Sequence, residues 1–324
     1  MTDSGVTMEE RESGPSVLVV GTGAIGGFYG SKLAQAGASV SVVCRSDYDV
    51  IRAYGISVES ILGDFHFKPV EVLRHAREAA EPPELILVAT KVIPEVVSVP
   101  DLIREAVGPQ TAILLIQNGI HIEDPVAEAF PSNEIISGLA FIAVTRTAPG
   151  RIVHQDFGRL TVGCYPKGTS EWTHTLGRLY ASVGVPFVES PDIVTERWRK
   201  LVWNAGFNPV SVLGGGLTTR EMMESAGALK LVRQVMEEVC LLAEADGHPL
   251  PKGIIEANIE GTRSMKPYKT SMLLDFEARR PMEVEAILGN ALRAGRRLGV
   301  SVEHIEVLYV LLRLADVRNR MSLD

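Results

Sequence analysis

The first half of the chain alternates short apolar runs with stretches whose apolar residues recur at helical spacing. Val17-Leu18-Val19-Val20 is continuously apolar, so Ser16 to Gly21 reads as a buried strand, and the glycine-rich turn after it opens a helix to about Gln35. Gly37 ends that helix, and Ser39 to Cys44 forms the next strand. Residues 46–54 read as a short helix. Residues 55–72 alternate and contain Gly63, which predicts strands around a turn. Glu84 to Ala89 and Thr111 to Gln117 are two further strands. Ile135 to Val144 and Arg151 to Gly163 flank Ala148-Pro149-Gly150, a spacing that predicts a hairpin adding antiparallel strands to the sheet. A helix over 170–183 and a short strand at Pro186 to Glu189 complete this half. The alternation predicts a parallel, doubly wound α/β sheet.

After Ser190-Pro191-Asp192 the period becomes helical almost throughout, over roughly 192–213, 219–246, 251–262, 281–299 and 302–319. Ser190 or Asp192 is placed to cap the first of these helices. The expected organisation is a flexible tail over 1–14, an α/β domain over 15–190 and an all-helical domain over 191–324.

Composition narrows the class. With 324 residues, 46% hydrophobic and 22% charged, the chain has the make-up of a globular protein of about two domains. The formal charge of −8 argues against general nucleic-acid binding and against adhesion to anionic membranes. Three scattered cysteines, Cys44, Cys164 and Cys240, form neither a disulfide framework nor a zinc cage, which fits a reducing, cytoplasmic setting. The seven histidines show no metal-ligand spacing, and no metal is expected. Apolar runs such as Ala112 to Ile116 fall far short of the roughly 20 residues of a membrane span.

The glycine-rich turn carries the first chemistry. Gly21-Thr22-Gly23-Ala24-Ile25-Gly26 fits G-x-G-x-x-G and lies between a strand and a helix, the context of a Rossmann-type dinucleotide site. Glycine lets the backbone turn tightly and approach a pyrophosphate, which the helix N-terminus then holds. At the end of the second strand, where NAD sites carry a carboxylate, stands Arg45 followed by Ser46. A guanidinium pairs with a 2′-phosphate, so NADPH is favoured. The alternative is that Arg45 is solvated and Asp47 binds the ribose.

Two more candidates end strands, where ligands bind in open α/β sheets. Lys91 could reach a cofactor phosphate or a substrate carboxylate. Asn118 could position the nicotinamide ribose or the substrate, or Asn118-Gly119 could simply be a turn. In the helical half, Lys200, Asn204 and Asn208 are spaced by four and form one polar stripe on an apolar helix. Two asparagines there call for a reason, since a solvated face more often carries Glu or Lys. Lys200 qualifies as a proton donor if burial lowers its pKa. Ser271 could bind a carboxylate. Glu283, opening a helix, reads on sequence grounds as a favourable first-turn charge. Arg293, Arg296 and Arg297 read as a solvated basic face.

Taken together, these motifs resemble the ketopantoate reductase family. GTGAIGG at 21–27, LVATK ending at Lys91, LIQNG around Asn118, ERWRKLVWNAGFNP at 196–209 and TSMLLDFEARRPMEVE at 270–285 carry the resemblance. It implies NADPH-dependent reduction of 2-dehydropantoate to pantoate. Lys200 would be the general acid, Asn204 and Asn208 would contact substrate, and Ser271 would meet its carboxylate. Glu283 would help position substrate and cofactor, Arg45 and Lys91 would hold NADPH, and Asn118 would lie between the two. The partners implied are a small 2-oxo acid and, given the apolar surface a helical domain can expose, a second copy in a homodimer. The chain departs from the family pattern at Met282, at Gly289-Asn290 and at Glu303. These departures keep two alternatives open: a reductase of another branched 2-oxo acid, and a non-catalytic NADP(H)-binding sensor.

Overall fold

The computed structural model describes residues 14–321, so the expected tail over 1–14 lies, apart from Gly14, outside the described residues. The α/β half runs β1 (Ser16–Val20), α1 (Ala24–Gln35), β2 (Ser39–Val43), α2 (Tyr48–Tyr54), β3 (Ile56–Ser60), β4 (Phe65–Phe67), β5 (Val72–Leu73), β6 (Leu85–Val88), α3 (Val99–Ile103), β7 (Ala112–Ile116), α4 (Asp124–Ala129), β8 (Ile135–Ala148), β9 (Arg151–Cys164), α5 (Glu171–Ser182) and β10 (Phe187–Glu189). One sheet has the order β4-β3-β9-β8-β7-β6-β1-β2-β5, with β10 on β9. Its centre is parallel: β1 pairs with β2 and β6, β7 pairs with β6, and β8 pairs with β7. The expected hairpin is β8–β9, antiparallel because only Pro149 and Gly150 separate the strands. The sheet is therefore Rossmann-type at its core and mixed at one side.

Both faces of the sheet are covered, which explains why its central strands read as continuous apolar runs. Val17 and Val19 pack on one side with Phe28, Leu85 and Leu114. Leu18 and Val20 pack on the other with Ile86, Val88 and Ile113. The chain leaves β1 toward β2 and returns to β6 on the opposite flank. That reversal opens a crevice at the strand C-termini beside β1.

The remainder is helical: α6 (Ile193–Leu213), α7 (Thr219–Glu224), α8 (Ala226–Ala245), α9 (Ile254–Ser264), α10 (Ser271–Glu277), a π-turn over Glu285–Gly289, α11 (Asn290–Leu298) and α12 (Glu303–Met321). Asp192 caps α6, its Oδ1 accepting from Thr195 N at 3.1 Å. The helix expected over 219–246 is two helices, because the Ser225 side chain accepts from Ala228 N and starts a new one. The helix expected over 281–299 begins with a π-turn. There the buried Glu285 carboxylate draws Tyr309, Arg293 and Arg313 together. Trp198, Leu201, Val202 and Phe207 of α6 are buried with Val232, Val235 and Val239 of α8 in a core of their own. No helix among the described residues is long and apolar enough to cross a membrane.

The two cores meet behind β7. Gly119 has φ +101, and a Cβ there would run into the Ala286 carbonyl of the π-turn. Ile120 N donates to Ala286 O at 3.3 Å, and Asn290 Nδ2 donates to Ile120 O at 2.6 Å. The C-terminal end of β7 is thereby fixed against the helical half.

Candidate active site

The glycine loop has the geometry its chemistry needs. Gly21 has φ +95, and a Cβ there would lie 2.8 Å from Thr90 Cγ2. A Cβ on Gly26 would strike the Gly21 carbonyl, so helix and strand pack only because both are glycine. Gly23 is different: it is exposed, and its Cβ would meet nothing within 4 Å. Gly23 is also the N-cap of α1, with no side chain capping the helix. No side chain caps the first-turn N–H groups of α1, which leaves them available to an anion. Thr22 is buried. These residues fit a dinucleotide pyrophosphate.

Arg45 and Asp47 part company in the structure. Arg45 is exposed at the mouth, beyond the end of β2. Asp47 is buried, ion-paired with Arg146, and accepts from Ser46 Oγ at 2.7 Å and from Gly150 N at 3.3 Å. Both oxygens of that carboxylate are engaged at the β8–β9 turn, and Arg45 makes none of these contacts.

Across the crevice, Lys200, Asn118 and Glu283 form one hydrogen-bonded chain drawn from three distant parts of the sequence. The partly buried Lys200 Nζ donates to Asn118 Oδ1 at 2.9 Å and to Ala140 O at 2.8 Å. Asn118 Nδ2 donates to Glu283 Oε2 at 3.1 Å, and Val92 N donates to Glu283 Oε1 at 3.2 Å. Burial pushes the Lys200 ammonium down to about 8; Arg197 pushes the same way and Glu283 opposes both. Burial also holds the Glu283 pKa above the usual carboxylate range, against the pull of Asn118, Val92 N–H and Lys91. The sequence reading of Glu283 as a first-turn helix charge is corrected here. Its carboxylate turns away from the helix to the ends of β6 and β7.

The other candidates are placed unequally. Asn204 is 8% exposed and lines a small pocket with Lys200, Leu201, Gly119 and Leu139. Asn208, one turn further, is buried, and its Oδ1 has no hydrogen-bond partner among the described residues. Ser271 is exposed at the start of α10 and shares no hydrogen bond with Lys200, Asn118 or Glu283. Lys91 is tied to the helical half, 2.5 Å from Asp275 Oδ2 and 3.3 Å from Pro281 O. The three arginines expected on a solvated face are all exposed, and they pair with Glu285, Glu306 and Asp246.

The sequence reading missed Arg197, Asp275 and the Ala140 carbonyl. Arg197 is 2% exposed. Its Nη1 donates to both Gln117 O and Gly119 O at 2.9 Å, and its Nε donates to Ser137 Oγ at 2.8 Å and pairs with buried Glu123. The available signal was its phase, three residues before Lys200 on an otherwise apolar helix.

Residues 17–167 match the family model described as ketopantoate reductase PanE/ApbA, and residues 192–316 match its C-terminal counterpart. The chain is 36% identical, over 97% of its length and 98% of the relative's, to a 2-dehydropantoate 2-reductase of Nostoc sp.. A crystal structure of 2-dehydropantoate 2-reductase from Methylococcus capsulatus superposes with a TM-score of 0.88 at 51% identity, covering 94% of this chain and 97% of that one. A second, from Geobacter metallireducens, gives 0.86 at 34% identity over 93% and 99%.

Proposed function

The chain belongs to the ketopantoate reductase family, and from that premise we propose that it reduces 2-dehydropantoate to pantoate with NADPH. The carrying observation is the Lys200 ammonium, held by Asn118 Oδ1 and Ala140 O at the edge of the crevice and poised near neutrality. The reduction adds a hydride to the ketone carbon and a proton to its oxygen. NADPH, when bound, supplies the hydride. Lys200 stabilises the negative charge that develops on the oxygen and then gives it the proton. Asn118 and Glu283 keep that ammonium aimed, and Asn204 and Asn208 supply amides along the same face of α6. Ser271 is assigned to the substrate carboxylate. Gly21 to Gly26 hold the pyrophosphate, Arg45 reads the 2′-phosphate, and Lys91 serves the cofactor once released from Asp275. The same reading gives dinucleotide binding to residues 15–190 and substrate handling to 191–324.

None of the three departures from the family pattern replaces a residue assigned above to chemistry or binding. Met282 is buried, with its N–H on Asp316. Asn290 holds the Ile120 carbonyl, and Glu303 begins α12. The deciding experiment is NADPH oxidation at 340 nm with ketopantoate, wild type beside Lys200→Ala. Turnover that falls about 10²-fold or more in the variant supports the assignment. Tight NADPH binding without turnover redirects the search to other 2-oxo acids, and failure with all of them to a sensor.

A further inference from the structure

Arg197 carries a charge where the packing of α6 has no need of one. A buried guanidinium must be desolvated, and an apolar side chain of similar volume is often equally stable or better. Arg197 keeps its charge, and its Nη2 finds no partner among the described residues. What the guanidinium does hold is specific: the carbonyls on either side of Asn118, both on one nitrogen. It also borders the pocket that Lys200 and Asn204 line. We propose that Arg197 is a positioning residue for the reduction, fixing the Gln117–Gly119 turn so that the Asn118 amide, and through it the Lys200 ammonium, is aimed at the substrate oxygen. Glu123 and Ser137 anchor the guanidinium from the sheet side. The charged groups acting on Lys200 are Arg197 from its own helix and Glu283 from the opposite wall.

This inference rests on the reductase reading above, and the test separates the two. Arg197→Lys, Arg197→Met and the double variant Glu123→Gln/Arg197→Met are assayed beside wild type; the double variant avoids an orphaned buried carboxylate. Loss of aim by about an ångström costs on the order of 10²-fold in rate. The expected result is a kcat about 10²-fold lower in both methionine variants, with the KM for NADPH unchanged and the alkaline limb of the pH profile moved upward. Arg197→Lys restores the limb but not the full kcat, since one ammonium cannot span the same acceptors. A folded variant with wild-type kcat and limb overturns the proposal. If the methionine variants fail to fold, wild-type kcat in Arg197→Lys overturns it. Absence of turnover in the wild type overturns the reductase reading instead.

Discussion

Lys200 shows how one residue acquires a task from its surroundings. On a solvated helix its ammonium would hold its proton through neutral pH and well beyond. Here burial and Arg197 bring its pKa to about 8. An acid must be protonated to donate, so the sign is fixed: kcat/KM for reduction should be level below that value and fall about tenfold per pH unit above it. A profile of NADPH oxidation across the alkaline range checks this, and a flat profile removes Lys200 as the acid. Arg45 supports a second prediction. Charge-assisted hydrogen bonds are worth about 1.5–3 kcal/mol. Arg45→Ala should therefore weaken NADPH roughly 10- to 100-fold while leaving NADH binding unchanged. Equal loss for both cofactors would show that Arg45 does not read the 2′-phosphate. Both residues stood out as candidates from local pattern, one by its stripe on an apolar helix and one by its place after β2. Glu283 was not, because the Asn118 and Val92 groups that define it lie 165 and 191 residues away.

At the scale of elements, the legible parts are those whose signal is local and long. The buried strands β1, β6 and β7, the β8–β9 hairpin and the 21-residue α6 follow from apolar period and turn residues. Short helices such as α3, α4 and α10 span too few residues to show a period. The π-turn was invisible for another reason: tertiary contacts at Glu285 impose it on a sequence that reads as plain helix. That turn presses on Gly119, whose φ of +101 and lack of a Cβ allow the approach. Gly119→Ala adds a methyl into the Ala286 carbonyl and forces an L residue into a strained backbone region. It should cost at least about 1–3 kcal/mol in urea unfolding and lower kcat by displacing Asn118. A variant with unchanged stability and rate would mean that the β7 end is looser than these contacts indicate.

For the whole molecule, the crevice exists because two cores are clamped together at few but specific points. Arg197 reaches from α6 to three separate segments of the α/β half, Lys91 reaches back to Asp275, and Asn290 holds the carbonyl beyond Gly119. Sequence pattern gave both cores and could not give their junction, since nothing local to α6 says which strand end its arginine will meet. The clamps are largely buried or ionic, and each half covers polar groups of the other. Separating them would break the buried Arg197–Glu123 pair and expose Ile120, which packs in the helical core, and Ala286, which packs in a core of the sheet. The halves should therefore unfold together, as one calorimetric transition in which the measured and van't Hoff enthalpies agree. A ligand that touches mainly the α/β half would then stabilise the entire chain. NADPH at 100 times its Kd contributes about 2.7 kcal/mol, which for a chain of 324 residues raises the single melting temperature by about 4 °C. Two transitions, with NADPH shifting only one, would show that the clamps are weaker than the cores they join and that the crevice opens by separation of the halves.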